Sequence, residues 1–262
     1  MRDRCCTIAV VTHSWNGERL FALTPARRRG REILDDPSQN VTLAVRSLRD
    51  VALSNRLFGG QRAVLRELAP LLHAHRDTHR ASVVDTPCTL LDVGTGLGDI
   101  PLAALALAAR LGVTLRTIGL ELDPALAAAA APHCSVALSG DAMQLPFADG
   151  SIDVITVSQV LHHFESPAAD DLLRECMRVA RVAVIIHDLR RSWFAVGGLW
   201  SVSFLLGFHA VSRNDGVVSI LRGFTVHELR ALVHRATGRA ATVRRALGWR
   251  ITATWRVGTL PF

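Results

Sequence analysis

The feature that most constrains the fold is an alternation of short apolar runs and helical patterns over residues 88–188. The apolar runs are short and bounded by turn residues, which is typical of strands buried on both faces of a parallel sheet. Strands that alternate with helices predict an α/β sheet with helices on both sides. The predicted strands are 89–93, 115–121, 135–138, 152–157 and 182–186, and the predicted helices are 100–111, 124–131 and 167–179.

The segments before and after this core also carry helix and strand signals. Helical periodicity from residue 33 to about residue 74 precedes a polar linker at 75–87. After the core, Thr225 and Glu228 form a capping box that predicts a helix start, and the alternation at 249–255 predicts a late strand. We therefore expect five segments: a loose basic extension 1–31, an N-terminal helical cap and linker 32–87, the core 88–188, a hydrophobic lid 189–224, and a C-terminal part 225–262 that completes the sheet.

The charge distribution argues against a nucleic-acid partner. All 30 basic residues are Arg, and the formal net charge is +7. The positive charge is concentrated in residues 1–31 and 212–262, whereas residues 32–211 are acidic overall. A protein that binds phosphates along its working surface would be expected to carry a basic stripe there. We therefore expect no nucleic-acid partner.

The cysteines and the N-terminal sequence bear on metal binding and localisation. None of the five cysteines forms a C-x-x-C pair, so no metal or redox site is predicted. The apolar part of the first residues is too short for a secretory signal. We therefore expect a cytoplasmic protein without a metal cofactor.

Residues 192–211 form an uncharged stretch of 20 residues. Its length would suffice to span a bilayer. Three glycines and His209 interrupt it, and Arg flanks it on both sides, which gives no orientation signal. The preferred interpretation is a buried lid over an apolar site. A membrane-surface element and a true span are the alternatives.

Glycines follow the first predicted strand. Gly94, Gly96 and Gly98 are spaced G-x-G-x-G, whereas the dinucleotide fingerprint needs its third glycine one residue later. Such a loop lets the backbone approach a ligand at the carboxyl edge of the sheet. Two acids reach the same edge: Glu121 is suited to accept from both hydroxyls of a ribose, and Asp141 from an adenine amino group. The fourth strand leads to Ser158, Gln159, His162 and His163.

The motifs at 92–99, 119–124, 140–147 and 151–164, in this order, resemble those of class I S-adenosylmethionine-dependent methyltransferases. They are most similar to the small-molecule branch that includes the quinone-biosynthesis methyltransferases. The resemblance covers roughly residues 88–188. The flanking regions, about 40–75 and 189–256, resemble bacterial phenol O-methyltransferases associated with type III polyketide synthases.

The resemblance implies a Rossmann-like seven-stranded sheet with an antiparallel final hairpin. It also implies S-adenosylmethionine as cofactor, S-adenosylhomocysteine as product and no metal. The glycines would pass under the cofactor, and Glu121 and Asp141 would hold its ribose and adenine. Ser158 and Gln159 would border its methionine end. The residues implied are Asp92, Gly94, Thr95, Gly96, Gly98, Glu121, Leu122, Asp141, Ala142, Ser158 and Gln159.

Methylation of a phenol oxygen requires removal of a proton, because a phenol near pKa 10 is mostly protonated at neutral pH. The resemblance implies that a base comes from His162 or His163, with His163 preferred, and that Asp188 orients it. The alternative is that both histidines are structural and transfer depends on proximity alone. His187 replaces the Asn expected before this Asp.

Polar residues beside the lid are candidates for orienting the substrate. Arg213, Asp215 and Arg222 are the candidates, with an ordinary solvated turn as the alternative. Arg56 and Arg62 flank the break between the first two helices. One of them would face the cofactor carboxylate, unless both lie on the surface.

These observations predict a methyltransferase that acts on the oxygen of a small, apolar phenolic or polyketide-like acceptor. A C- or N-methyltransferase of a quinone-type molecule is the first alternative, and a non-catalytic cofactor-binding module is the second. Membrane-surface contact through residues 192–211 stays open, and the protein is expected to be a monomer or a homodimer.

Overall fold

The computed structural model describes residues 24–28, 30–36, 40–80 and 86–258. Seven strands form one sheet in the order β3-β2-β1-β4-β5-β7-β6. The first five strands pair in parallel, whereas β7 runs antiparallel to both β5 and β6. The predicted α/β sheet and its antiparallel final hairpin are therefore confirmed. The strands are β1 (Cys88–Val93), β2 (Leu115–Glu121), β3 (Val136–Ser139), β4 (Ile152–Ser158), β5 (Ala180–Leu189), β6 (Thr242–Ala246) and β7 (Arg250–Arg256).

Helices cover both faces of the sheet. One apolar core joins the sheet to α5 and α8, and a second joins the opposite face to α2 and α3. Every residue of the central strand β4 is buried, as expected for a parallel strand covered on both faces. The helices are α1 (Val41–Leu57), α2 (Gly60–His79), α3 (Asp99–Leu111), α4 (Pro124–Ala130), α5 (Ala168–Val179), α6 (Trp193–Leu205), α7 (Ala210–Arg222) and α8 (Val226–Thr237).

Helix α8 begins at the predicted capping box. The Thr225 side chain accepts from the Glu228 N–H at 3.2 Å, and the Glu228 carboxylate accepts from the Thr225 N–H at 2.7 Å. The same carboxylate pairs with the buried Arg191 at 2.8 Å. The cap therefore also anchors the residues that follow β5.

The N-terminal helical region departs from the prediction in one respect. Helix α2 was expected to end near residue 74 and to be followed by a polar linker, but it continues to His79. His75 is buried, and its Nε2 lies 2.9 Å from the Thr86 carbonyl oxygen. This contact ties the last turns of the helix to the start of the core, which a polar sequence alone does not reveal.

Where a loose extension was predicted, Pro25, Arg27, Arg28 and Gly30 contact the lid and the residues beside it. The buried Arg191 side chain donates to the Pro25 carbonyl oxygen at 2.9 Å, and Arg27 donates to that of Arg222 at 2.7 Å. The Arg27 guanidinium also stacks on the ring of Phe224 at 4.3 Å. Residues 1–23 and residue 29 of the predicted extension lie outside the described residues.

The uncharged stretch contains all of α6 and the first two residues of α7, and the chain turns between the two helices at Gly207, whose φ is +67°. None of the helices in the described ranges combines the length and the hydropathy that crossing a bilayer requires. Helix α7 packs against α1, where the Ser47 and Ser212 hydroxyls lie 2.9 Å apart and Asp50 accepts from Ser212 at 2.6 Å. The lid is therefore joined to the N-terminal helices by buried polar contacts.

Candidate functional site

A cavity of about 830 Å³ opens at the carboxyl ends of β1, β2 and β4. The residues after these strands form its floor. Side chains of α1, α6 and α7 and of residues 32–36 form the rest of its wall. Open parallel sheets bind ligands at this edge.

The glycine-rich loop forms part of this floor. Gly94 has a φ of +66°, and a Cβ there would lie 2.4 Å from the Val160 side chain. Below the loop, the buried Asp92 accepts hydrogen bonds from Thr95 at 2.8 Å and from Thr156 at 2.6 Å. Burial raises the pKa of Asp92 to about 7 despite these two donors. Asp92 therefore holds Thr95 of the loop and Thr156 of the neighbouring strand together.

The acids predicted at the sheet edge line the same cavity. The Gly96 N–H donates to the Glu121 carboxylate, and burial raises the pKa of that carboxyl group. Asp141 accepts from the Met143 N–H at 2.8 Å and lies at the next strand end. Gly98, with a φ of +76°, is the N-cap residue directly before helix α3. Leu122 and Ala142 also line the cavity.

A polar network surrounds the end of β4. Gln159, which has a φ of +57°, donates from its amide to Asn55 at 2.6 Å. The carbonyl oxygen of the same side chain accepts from Arg250. Asp99 completes the network, since it accepts from Asn55 at 3.3 Å. Asn55, Asp99 and Arg250 line the cavity, and the sequence analysis missed all three.

The arginine in the cavity wall is Arg250, and not Arg56 or Arg62, the candidates from the sequence. Arg250 is buried in the cavity wall, and burial lowers its pKa to about 10. Arg56 and Arg62 instead line a separate surface groove of about 440 Å³. No signal in the sequence placed Arg250 in the site, because it is the first residue of a strand with ordinary alternation of apolar and polar residues.

His162 is the buried member of the histidine pair. Its Nδ1 lies 2.7 Å from Asp188, and its side chain is 2% exposed. On the opposite side of the ring, Nε2 lies 3.5 Å from the Glu32 carboxylate, which is too long for a good hydrogen bond. Burial alone would lower the pKa of His162, but Asp188 and Glu32 raise it to about 9. His162 is therefore a basic imidazole held between two carboxylates.

His163 lies at the edge of the cavity, and its side chain is 34% exposed. Its ring stacks beside that of His162, with centroids 4.3 Å apart. Its Nδ1 lies 2.9 Å from Asp35, and the Arg222 guanidinium lies 3.3 Å from the same nitrogen. His163 is therefore more exposed than His162 and is oriented by a carboxylate of the N-terminal segment.

His187 fills the position where Asn was expected. It is buried, and its Nδ1 lies 2.8 Å from the Ser158 hydroxyl. Burial and the nearby Arg250 lower its pKa to about 3. His187 is thus a neutral side chain that fixes the end of β4 rather than a second base.

The candidate substrate residues mainly hold the N-terminal segment. Asp215 lines the cavity, but its two oxygens accept from the backbone N–H groups of Ile33 and Leu34 at 2.9 and 3.0 Å. Arg222 donates to Asp35 at 2.6 Å and to Glu32 at 3.1 Å.

Arg213, the third candidate, donates to the Phe208 carbonyl oxygen at 2.9 Å and stacks on the ring of Phe204. Neither it nor Arg222 lines the cavity, so the cavity does not support the substrate role expected of them, which stays a prediction. The guanidinium groups of both residues instead bind other residues of the chain, outside the cavity.

One cluster in the described part of the chain has the donors of a metal site. Ligand atoms of Glu32, His162 and His163 lie within 4.8 Å of one another. The Arg222 guanidinium already neutralises the Glu32 carboxylate at 3.1 Å. We therefore interpret the cluster of Glu32, His162 and His163 as part of an ion-pair network centred on Arg222.

The raised pKa of His162 makes a prediction for stability. The folded protein holds its proton up to about pH 9, whereas an unfolded histidine releases it near pH 6.5. The free energy of unfolding should therefore be level below pH 6.5 and fall as the pH rises from there to about 9. The free energy of unfolding is expected to fall by a few kcal/mol over this range, because each unit of pKa difference between the folded and unfolded states contributes about 1.4 kcal/mol.

Urea denaturation across this pH window measures the effect. His162→Gln, which removes the titrating group, should show a smaller fall over the same range. A fall of equal size in both proteins would contradict the assignment of the proton to His162.

Comparison with known proteins agrees with this geometry. Residues 91–186 match the protein family described as a methyltransferase domain. A demethylmenaquinone methyltransferase of Roseiflexus sp. (strain RS-1) is 36% identical over 103 residues, which cover 38% of this chain and 41% of that relative. The match thus spans less than half of the relative's length.

Two solved structures share the fold. A methyltransferase from Aquifex aeolicus, described as dependent on S-adenosylmethionine, superposes with a TM-score of 0.51 and 18% identity over 86% of this chain and 95% of its own. A protein of Pyrococcus horikoshii OT3 superposes with a TM-score of 0.50 and 15% identity over 74% of this chain and 90% of its own. Residues 91–186 therefore match a methyltransferase domain, and the surrounding fold is shared with a solved methyltransferase structure.

Proposed function

We propose that the protein transfers a methyl group from S-adenosylmethionine to the hydroxyl oxygen of a small apolar acceptor, with a phenol or a polyketide-like molecule as the preferred class. The observation that carries the proposal is the Nε2 atom of His162. It is buried and has no hydrogen-bond partner in the part of the chain that the structure describes. Asp188 fixes the other side of the ring.

The residues at the sheet edge fit the cofactor. Among the described residues, only the Leu48 side chain lies within 4 Å of a Cβ placed on Gly96, so the loop presents mainly backbone to the cavity. Glu121 offers a carboxylate for the ribose hydroxyls, and Asp141 offers one for the adenine edge. Asp99 and Arg250 offer one charge of each sign for the amino and carboxylate groups of the methionine end.

The bound cofactor supplies a methyl group on a positively charged sulfur. The chain supplies position and a dry surrounding, because the fraction of the barrier that alignment removes is large in such a transfer. His162 lies directly after β4 in the cavity wall and accepts the hydroxyl proton at Nε2. Asp188 keeps that nitrogen pointed at the cavity and stabilises the imidazolium that forms.

Glu32 tunes this base. Its carboxylate faces the same nitrogen at 3.5 Å and contributes to the raised pKa of His162. The histidines in turn lower the pKa of Glu32 against the effect of its burial. A base with a pKa near 9 is mostly protonated at neutral pH, so we infer a rate that rises with pH in the neutral range.

The wall beyond the histidines suits an apolar acceptor. It consists of aliphatic and aromatic side chains from the lid and from the start of β7. An apolar pocket with a few convergent polar groups is typical of small-molecule sites. The lining side chains in this part are Ala195, Leu199, Val202, Phe208, Ile220 and Trp249.

A quinone-type acceptor methylated at carbon is the second candidate. The matched relative is named a demethylmenaquinone methyltransferase, and the apolar wall accommodates that class equally well. A transfer to carbon depends less on a base beside the acceptor oxygen. The two candidates therefore differ in their response to the loss of His162.

Labelled methyl transfer to a panel of acceptors tests the proposal. The panel contains long-chain resorcinols, catechols, quinols, amines and bulk RNA, each with S-adenosylmethionine carrying a labelled methyl group. Label on a phenol oxygen is the expected result. Label on a ring carbon or an amine would replace the proposal with the second candidate or its amine counterpart, and label on RNA would overturn the small-molecule class.

A further inference from the structure

Helix α6 exposes a broad apolar surface. It contains no charged residue, and it is apolar on all sides. A helix of this kind is normally buried in protein or in lipid. Its exposed side chains are Trp193, Phe194, Trp200, Phe204 and Leu205, with relative exposures of 42%, 60%, 52%, 54% and 85%.

The opposite side of the same helix forms the cavity wall. Ala195, Leu199 and Val202 line the acceptor region. The hairpin beside them contributes Trp249, which lies 4.0 Å from the position of a Cβ on Gly198. A single helix therefore separates the acceptor region from the exterior, and both of its sides are apolar.

Two cations border the exposed side. The Arg28 guanidinium lies 5.5 Å from the centroid of Trp193, and the Arg213 guanidinium lies 4.3 Å from that of Phe204. No acidic residue occurs between residues 189 and 214. Exposed aromatic rings next to arginines are the combination that the interface of an anionic membrane favours.

We propose that the outer side of α6 docks on an anionic lipid surface. With 13 residues, the helix lies in the interface plane and does not span the bilayer. The charge argues for lipid over a second copy of the chain, because a symmetric pair would set Arg28 and Arg213 against like charges. Docking would present the wall of the acceptor region to the place where apolar molecules concentrate. The docking itself does not depend on the identity of the acceptor.

Co-sedimentation of the full chain with vesicles tests the proposal without any activity measurement. Vesicles of phosphatidylglycerol and phosphatidylcholine in equal parts should bind the protein, and those of phosphatidylcholine alone should bind it more weakly. The double variant Trp200→Ser, Phe204→Ser should lose about tenfold or more in partition coefficient. Arg28→Gln and Arg213→Gln should each cost about fivefold on the anionic vesicles.

Leu102→Ser is the matched control, because Leu102 is a 48% exposed apolar residue on α3. It should bind vesicles as the unchanged protein does. Quenching of tryptophan fluorescence by brominated lipids gives a second measurement on the unchanged chain. Equal binding by the α6 double variant, absence of binding to anionic vesicles, or a dimer in sedimentation that the double variant dissolves would overturn the proposal.

Discussion

Replacing His162 with alanine is expected to lower kcat about 10²–10⁴-fold, the range typical for loss of a positioned base. The affinity for S-adenosylmethionine should change little, because the residues assigned to the ribose and adenine of the cofactor lie at the ends of β1, β2 and β3. His162 holds the buried nitrogen that faces the cavity, and Asp188 fixes its orientation at 2.7 Å. Steady-state kinetics with the acceptor found in the panel, together with cofactor titration, measure the two effects separately.

His163→Ala is the matched control for this variant. The two rings are adjacent in sequence and stack 4.3 Å apart, but His163 is partly exposed and paired with Asp35. We expect its removal to change kcat less than tenfold. If His163→Ala lost as much activity as His162→Ala, the assignment of the base would be wrong, and the preference for His163 drawn from the sequence would stand.

The pH profile gives an independent readout of the same assignment. For the unchanged protein, kcat/KM should rise about tenfold per pH unit in the neutral range and level off near pH 9, where His162 loses its proton in the free protein. His162→Gln should show a flat profile at a low rate. A flat profile in the unchanged protein would indicate transfer by proximity without a base.

Gly94→Ala is expected to have the second largest effect. Gly94 lies in the left-handed region at a φ of +66°, and its added Cβ would lie 2.4 Å from Val160. The backbone conformation costs about 1–2 kcal/mol for a residue with a side chain, and forced repacking adds about 1–3 kcal/mol. Relief of this contact requires the loop to shift, and a shift near 1 Å in a positioned site can cost about 100-fold in rate.

Gly112→Ala is a control that separates the steric clash of the added Cβ from the cost of a positive φ in a residue with a side chain. Gly112 has nearly the same φ, +65°, but a Cβ there meets none of the residues that the structure describes within 4 Å. It should lose about 1–2 kcal/mol of stability and keep cofactor affinity and activity. Denaturation and cofactor titration of both variants measure the difference. Equal affinity for the cofactor in the two variants would show that the Gly94 loop does not form its site.

The central fold was predictable because its signals are local. Each strand of the core is a short buried run bounded by a turn, and the glycine spacing follows the first strand directly. Glu121 and Asp141 were found for the same reason, since parallel strands bring their carboxyl ends to one edge. The capping box at Thr225 likewise depends on residues three positions apart.

The parts that could not be predicted depend on distant contacts. The uncharged stretch at 192–211 was predicted as one segment, but helix α6 ends at Leu205, and a turn with a positive φ at Gly207 leads to a second helix that begins at Ala210. The sequence placed residues 30–31 in a loose extension and residues 32–36 at the start of the helical cap, yet Asp215 and Arg222 hold this segment over the cavity from more than 180 positions away in the chain. Glu32 reaches His162 only through these contacts.

The sequence by itself determined the sheet, its order of motifs, the glycine loop and the acids that follow the strands, because neighbouring residues encode each of these. Only the tertiary structure decided which histidine is buried, that Glu32 faces it, and that Arg250 lies in the cavity wall. Burial and pKa depend on what the rest of the chain places around a side chain. Two adjacent histidines with the same local sequence therefore have different chemistry.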